Sequence, residues 1–254
     1  MGEIDGVLGA ATFEAIMDAR SQGLVGDTLL FWRPEKPTVY VGYHQLVYED
    51  INVENCRAKG IPIVRRVLGG GTGYCDKNQI IYNVIYKDDR AGMPAGPRNV
   101  YNIVLGGVVE ALRILGIGDA VIDEERFSVY ANGKKISGSG QLTSRGVVNA
   151  SGSFLADFDF PAMKEVLNDP VKNLKKGIRE PEDGMTCLRK ELGRISIEEA
   201  KDALKAGFDK VLGPSFKGEL TEYEKNLAQD LSGKYILDEW IFRADNRKKK
   251  REKP

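Results

Sequence analysis

The hydrophobic residues of this chain repeat with two different periods, and the changes of period divide it into helices and strands. The clearest helical pattern covers Asn99–Leu115, where apolar side chains recur every three or four residues. Ala10–Ala19 has the same period over a shorter stretch, and Glu49–Lys59 ends at Gly60, a residue type typical of helix C-termini. These patterns predict three helices in the first half of the chain.

Runs rich in β-branched and aromatic residues predict strands. They are Thr28–Trp32, Thr38–Gly42, Ile61–Val67, Ile80–Tyr86, Phe127–Ala131, Lys135–Gln141 and Val147–Phe158. Pro34 and Pro37 predict a hairpin-like turn region between the first two strands, and Asn132-Gly133 predicts a tight turn further on.

Two capping boxes predict helices near the C-terminus, one beginning at Ser196 and the other at Thr221. The basic run Arg247–Arg251 is expected to be frayed. Hairpins mixed with helices, without strict β-α alternation, predict an α+β fold with a mainly antiparallel mixed sheet packed by helices. We expect one domain over residues 1–246 and a basic tail over 247–254, with no C-terminal accessory domain.

Composition narrows the classes of function. Among 254 residues, 37 Lys and Arg balance 37 Asp and Glu, so no global charge favours nucleic acid or an anionic membrane. No apolar run is long enough to span a membrane, and no signal pattern opens the chain. The three cysteines lack metal-ligand or disulfide spacing, and the single histidine, His44, excludes His-rich sites. These features predict a reduced, cytoplasmic protein that binds neither nucleic acid nor membrane.

The first motif with chemical potential runs from Arg65 to Asp76 and contains Gly69-Gly70-Gly71. Three glycines let backbone N–H groups approach a ligand, and two arginines at a strand end call for an anionic partner. The spacing matches neither a Walker A loop nor a Rossmann fingerprint, because a strand is predicted to follow. An anion-binding loop and a plain glycine turn are both compatible with this motif alone.

The second motif is Lys134-Lys135-Ile136-Ser137-Gly138-Ser139-Gly140. A lysine beside small residues on a strand has room to neutralise a phosphate or carboxylate as a point charge. A hairpin with two solvated lysines would explain the same residues.

Taken together, Arg-Arg-x-x-Gly-Gly-Gly-x-x-Tyr-x-Asp and the later Lys-x-x-Gly-x-Gly resemble the lipoate–protein ligase family. Gly42-Tyr43-His44-Gln45 and Met185-Thr186-Cys187-Leu188 resemble further family segments, so the likeness covers nearly the whole chain. It implies an α+β catalytic domain related to biotin–protein ligases.

The resemblance also implies an activity. Lipoate would react with ATP, with Mg²⁺ as cofactor, to give lipoyl-AMP, and a lysine of a lipoyl-acceptor protein would then take the acyl group. Lys135 would be the catalytic residue. The residues expected to bind substrate and adenylate are Arg65, Arg66, Gly69, Gly70, Gly71, Thr72, Tyr74, Asp76, Gly138, Ser139 and Gly140. The acyl-pocket candidates are Val64, Val67 and Tyr82, and no metal ligands are assigned.

Three positions depart from the family pattern. Its His-Asp pair is Cys75-Asp76 here, a later histidine falls on Ser151, and the final Ala of its lysine motif is Gly140. Adenylate chemistry requires neither histidine, but acceptor or substrate preference depends on such positions.

Three alternatives remain open. An octanoyl or lipoyl transferase acting on a carrier-bound acyl group would use a cysteine upstream of the motif lysine, and Glu124–Tyr130 has none. A biotin–protein ligase would need an arginine-rich glycine loop that is absent here. A non-catalytic lipoate- or nucleotide-binding module would not need Lys135. Finally, some members of the family consist of a large catalytic subunit and a separate small subunit. The resemblance therefore predicts a small partner subunit here, with exposed Trp240 and Phe242 as its contacts.

Overall fold

Ten strands lie in two sheets in the computed structural model, which describes residues 2–93 and 96–251. The strands are β1 (Glu3–Ile4), β2 (Thr28–Pro34), β3 (Thr38–Val41), β4 (Ile63–Arg65), β5 (Gly73–Cys75), β6 (Gln79–Lys87), β7 (Ala120–Asp123), β8 (Ser128–Ala131), β9 (Lys134–Ser144) and β10 (Val147–Leu155). The larger sheet has the order β1-β2-β6-β10-β9-β8-β7, and the smaller sheet has the order β4-β3-β5. Only β1–β2 and β3–β4 are parallel, which confirms the mainly antiparallel mixed sheet.

The described residues also form eleven helices, which include those that cover both faces of the larger sheet. They are α1 (Gly6–Ser21), α2 (Val47–Asp50), α3 (Val53–Ala58), α4 (Pro97–Ile114), α5 (Phe160–Val166), α6 (Pro181–Gly184), α7 (Leu188–Leu192), α8 (Ile197–Leu212), α9 (Glu222–Tyr235), α10 (Asp238–Ile241) and α11 (Arg243–Arg251). The amphipathic α4 and α8 cross on one face, and α1 packs with α9 on the other. Two apolar cores result, one on each side of the sheet.

Both predicted capping boxes are confirmed. The side chain of Ser196 accepts from the Glu199 N–H and that of Thr221 from the Glu224 N–H, and each glutamate returns a bond to its cap. The first helix is longer than predicted because the Asp5 carboxylate caps it by accepting from the N–H groups of Val7 and Leu8.

The single helix predicted over Glu49–Lys59 is wrong, because the chain forms α2 and α3 with a break between them. Ile51 is extended there and pairs with Leu167 across the fold, and Asn52 caps the second helix. A distant backbone partner therefore overrides the helical period.

The hairpin predicted around Pro34 and Pro37 is also wrong. Strand β2 pairs with β6 in the larger sheet, whereas β3 lies in the smaller sheet. Pro34 is tolerated because its neighbours Arg33 and Glu35 donate backbone hydrogen bonds to the carbonyls of Gly2 and Ile4.

At the C-terminus, residues 247–251 belong to helix α11 rather than to a frayed tail, and 252–254 lie outside the described residues. Phe242 is buried, and the indole N–H of Trp240 donates to the Arg65 carbonyl at 2.7 Å. The prediction that these two aromatic residues form an exposed docking surface is therefore wrong. None of the described helices has both the length and the apolar character needed to cross a membrane.

Candidate functional site

A cavity of about 770 Å³ lies between the larger sheet, the smaller sheet and the segment 169–185. Many of the residues predicted to bind ligand line it: Arg66, Gly70, Gly71, Thr72, Tyr74, Lys135, Gly138, Ser139 and Gly140. The two sequence motifs, more than fifty residues apart, therefore meet at one site.

A β-bulge directs Lys135 into this cavity. Along β9, Ser137 pairs with Val129 and Lys135 with Tyr130, which leaves Ile136 as an extra residue. Ile136 points into the core, so the alternation of side chains changes there and Lys135 faces the same side as Gly138. Its neighbour Lys134 faces away and donates to the Glu182 carbonyl at 2.8 Å.

The ammonium of Lys135 has no carboxylate partner within salt-bridge distance among the described residues. Loss of hydration lowers the pKa of Lys135 to about 8, and the nearby Asp123 only partly opposes this. A Cβ atom added at Gly138 would lie 3.3 Å from the Lys135 Nζ, so the ammonium occupies the space that the glycine leaves free. The cavity thus holds an unpaired cation.

The pairing of the strands places five residues of the cavity floor in one line across the sheet. Trp32 pairs with Ile81, Ile81 with Ser153, Ser153 with Gly138, and Gly138 with Ser128. Directly paired residues point to the same face, and all five line the cavity. We call them the cross-sheet row. It is apolar at the Trp32 end and polar at the Ser128 end, with the Lys135 ammonium over Gly138.

Arg66 shapes the glycine loop from within. Its Nη2 donates to the carbonyls of Gly69 at 3.1 Å and Gly71 at 2.8 Å, which curls the loop around the guanidinium. Gly70 has a φ of 97°, and a Cβ there would lie 2.9 Å from the Arg66 Nη2. Burial lowers the pKa of Arg66, but its ordinary value is so high that the cation persists.

Arg65 lies outside the cavity, so the structure does not support its predicted part in ligand binding. Its side chain is fully buried and donates to the carbonyls of Gly42, Gln45 and Ile241 at 2.6–2.9 Å. A salt bridge of 3.6 Å joins it to Asp245 of α11. Arg65 therefore connects β4 to the C-terminal helices, and alternation along β4 explains why its neighbour alone reaches the ligand side.

Five further predicted residues also lie outside this cavity. Gly69 faces the opposite side of the loop, and Asp76 is a buried turn residue that accepts from the Asn78 N–H at 2.8 Å. The acyl-wall candidates lie elsewhere: Val64 packs in the core beside α1, Val67 follows β4 and lines a second, smaller cavity, and Tyr82 packs against Phe208. Apolar walls come instead from residues that sequence reasoning did not select: Phe13, Trp32, Tyr40, Leu68 and Ile81.

Asp50 is another residue that the sequence did not reveal. It is buried at the end of α2, and its carboxylate accepts from the Thr72 hydroxyl and from the Lys172 ammonium, both at 2.5 Å. These bonds fasten the glycine loop to the segment that covers the cavity. No local signal marks Asp50, because both partners are distant in sequence.

Cationic side chains outnumber acidic ones around the cavity. Arg66, Arg126, Lys135, Lys172 and Lys176 line it, against Asp50, Glu125 and Asp169. In the described part of the chain, no three His, Cys, Asp or Glu side chains form a group that could hold a metal ion. The arrangement therefore suits an anionic or carbonyl-bearing ligand.

Cys75 is the cysteine that lines this cavity. It is buried in β5, and loss of hydration raises its pKa to about 12, although Arg66 acts in the opposite direction. A thiol with this pKa is almost fully protonated at neutral pH and is a weak nucleophile. Cys56 and Cys187 are buried in the core elsewhere.

A smaller cavity of about 420 Å³ lies on the other side of the glycine loop. It is lined by Gly69, Gln141 and Trp240, among others, and by the exposed His44.

Comparisons with known proteins agree with this geometry. The family model of the lipoyl protein ligase A/B catalytic domain matches residues 8–209. An octanoyltransferase LipM from Kyrpidia tusciae is 33% identical, covering 92% of this chain and 93% of the relative. Another from Halalkalibacterium halodurans is 30% identical, covering 95% and 96%.

Two solved structures share the fold. A lipoate-protein ligase A bound with ATP has a TM-score of 0.82 and 25% identity, covering 95% of this chain and 96% of that one. A bi-partite lipoate protein ligase from Thermoplasma acidophilum has a TM-score of 0.79 and 26% identity, covering 95% and 94%.

Proposed function

This chain belongs to the lipoyl protein ligase A/B catalytic domain family, and we propose that it transfers an octanoyl or lipoyl group from a carrier-bound thioester to a lysine of a lipoyl-acceptor protein. The observation that carries the proposal is the unpaired Lys135 ammonium over Gly138, near the polar end of the cross-sheet row. An apolar chain and a reacting carbonyl have separate, adjacent places on that row.

The apolar end suits the acyl chain. Trp32 and Ile81 lie beside Phe13, Tyr40 and Leu68 in one buried cluster that opens into the cavity. Each methylene buried there contributes about 0.8 kcal/mol, so a medium-length chain gains several kcal/mol on binding. Trp32 is held by a hydrogen bond from its indole N–H to Asn83 at 3.1 Å, which makes it a firm end wall.

Lys135 suits the reacting carbonyl. Attack by an amine on a thioester places negative charge on the carbonyl oxygen, and a cation at that point stabilises the transition state. A pKa of about 8 also lets Lys135 accept and return a proton near neutral pH, when the amine loses one and the leaving thiolate gains one.

The names of the relatives favour a thioester donor, since both are octanoyltransferases. An acyl-cysteine intermediate needs a reactive thiol, however, and Glu124–Tyr130 contains no cysteine. The raised pKa of Cys75 makes that thiol a poor substitute. We therefore propose direct attack of the acceptor amine on the bound donor.

A second candidate is the ATP-dependent lipoate ligase implied by the sequence motifs. The five cationic side chains and the volume of the cavity favour it, and a similar solved protein is a ligase bound with ATP. Since the three acidic residues of the cavity form no ligand cluster, Mg²⁺ would be held mainly by the nucleotide phosphates. A small accessory subunit, suggested by the bi-partite ligase, stays a prediction for this candidate.

The experiment that separates these functions is the intact mass of a purified apo lipoyl domain. The proposal predicts octanoylation from octanoyl-carrier protein without ATP, and much less modification from free lipoate, ATP and Mg²⁺. The reverse result would establish the ligase. Modification in neither reaction, with lipoate still bound in calorimetry, would indicate a binding module. Lys135→Met should abolish transfer, and Lys134→Met, whose side chain faces away, is the matched control.

A further inference from the structure

Ser153 occupies a special place on the cavity floor. It lies on β10, directly opposite Ile81 on one side and Gly138 on the other. It is therefore the first polar residue after the apolar end of the cross-sheet row. Its side chain is partly exposed to the cavity, and its hydroxyl has no hydrogen-bond partner among the described residues.

The Lys135 ammonium lies close by. It is 3.3 Å from the point where a Cβ of Gly138 would be, and Cβ positions of directly paired residues are about 5 Å apart. The Ser153 side chain and the Lys135 ammonium therefore both border the open space beside Gly138. A ligand oxygen that enters this space can approach both donors.

We propose that Ser153 is a catalytic residue that donates a hydrogen bond to the acyl carbonyl oxygen, opposite Lys135. This inference rests on the proposed function and deepens it. The acyl chain lies along Ile81 and Trp32, which are one and two strands away from Ser153. Two inter-strand steps span about 10 Å. That distance accommodates an extended eight-carbon chain, so the row favours medium-length acyl groups.

In the reaction, the acceptor amine forms the new C–N bond and the carbonyl π electrons move to oxygen. Ser153 keeps its proton and donates a hydrogen bond to that oxyanion, while Lys135 supplies positive charge. When the carbonyl reforms, the C–S bond breaks and the thiolate leaves with the proton released by the amine. The same pair of donors would serve an acyl adenylate, so the assignment does not depend on the donor.

Three other serines line the cavity but fit this role less well. The Ser139 hydroxyl already donates to the Phe127 carbonyl. The Ser128 hydroxyl already donates to the Arg126 carbonyl at 2.9 Å, and its residue has no exposed surface. Ser151 lies one row further along β10, opposite Gly140 and beside the glycine loop, away from the Gly138 space. Position therefore selects Ser153.

The test compares Ser153→Ala with Ser151→Ala, with Ser153→Thr as the conservative variant, and with Ser144→Ala, an exposed serine on β9, as control. We expect kcat for acyl transfer to fall about 100-fold in Ser153→Ala with little change in KM, because one oxyanion donor is lost. Ser153→Thr should recover most of this activity. An unchanged kcat, a change in KM alone, or a larger loss of kcat in Ser151→Ala would overturn the assignment.

A binding measurement keeps the proposal testable even if acyl transfer itself is not observed. Octanoate, titrated by calorimetry, presents its carboxylate where the carbonyl would lie. Its Kd should rise about tenfold or more in Ser153→Ala, because a hydrogen bond to a charged group is lost, and stay unchanged in Ser144→Ala. Equal affinity of Ser153→Ala and the unmodified chain for octanoate would overturn the role of Ser153. Absence of transfer from either donor would overturn only the proposed function.

Discussion

Replacing Lys135 by methionine should make the protein more stable while removing its activity. Methionine has a similar length and keeps the apolar contacts of the side chain, but it has no charge to desolvate. In the native chain, the cation loses hydration in the cavity without gaining a carboxylate partner among the described residues. The site therefore holds an unfavourable charge that is useful only to a ligand.

The size of this effect follows from the pKa of Lys135, which burial lowers from 10.5 to about 8. Each pKa unit corresponds to about 1.4 kcal/mol, so the charge costs up to about 3 kcal/mol at neutral pH. Below pH 8 the lysine is protonated in both states and the full cost applies. Between pH 8 and 10.5 only the unfolded chain holds the proton, so the cost declines, to about 1.4 kcal/mol at pH 9.5.

The assay is urea unfolding of the native chain and Lys135→Met at pH 7 and pH 9.5, with acyl transfer measured on the same samples. We expect the midpoint to rise at pH 7 with an unchanged m-value, a gain of 1–3 kcal/mol, and a smaller gain at pH 9.5. Transfer should fall at least about 100-fold. Lys134→Met controls for loss of a lysine. A variant that is less stable than the native chain at pH 7 would refute the reasoning.

Three further predictions concern neighbouring residues. Arg65→Met should lower the free energy of unfolding by about 3–5 kcal/mol in a urea titration, because Asp245 and several carbonyls lose a buried cationic partner, while activity per folded molecule is kept. Gly140→Ala should lower both stability, by about 1–3 kcal/mol, and kcat, because its Cβ would overlap the Gly69 carbonyl and displace the glycine loop; a calorimetric scan and steady-state kinetics check this. Cys75→Ser should keep its transfer activity, and intact mass after incubation with octanoyl-carrier protein should show no adduct on the native chain; an octanoyl adduct at Cys75 would contradict direct transfer.

Elements with complete local signals were predictable from the sequence. The capping boxes at Ser196 and Thr221 satisfy helix N-termini with side chains only three residues away, so no distant contact decides them. The same holds for the turn at Asn132-Gly133, where β8 and β9 meet. Fold class followed from the order of such elements.

Elements that depend on distant partners were not predictable in the same way. The break at Ile51 exists because Leu167 pairs with it, and β3 leaves the larger sheet because β4 and β5 provide partners in the smaller one. Periodicity describes one segment at a time and contains no information on which other segment will supply hydrogen bonds. The role of Asp50, which joins Thr72 to Lys172, could not be predicted from the sequence for the same reason.

The candidate site shows this division most sharply, since two pairs of identical neighbours separate in the fold. Arg65 and Arg66 are adjacent, yet one is a buried connection to α11 and the other supports the glycine loop. Lys134 and Lys135 are adjacent too, and the bulge at Ile136 decides which of them faces the cavity. The residue types show that both members of such a pair could take part in the chemistry. Which of the two does so depends on the face of the strand from which its side chain points. Any change that removed the bulge would exchange the two lysines and leave the cross-sheet row without its cation.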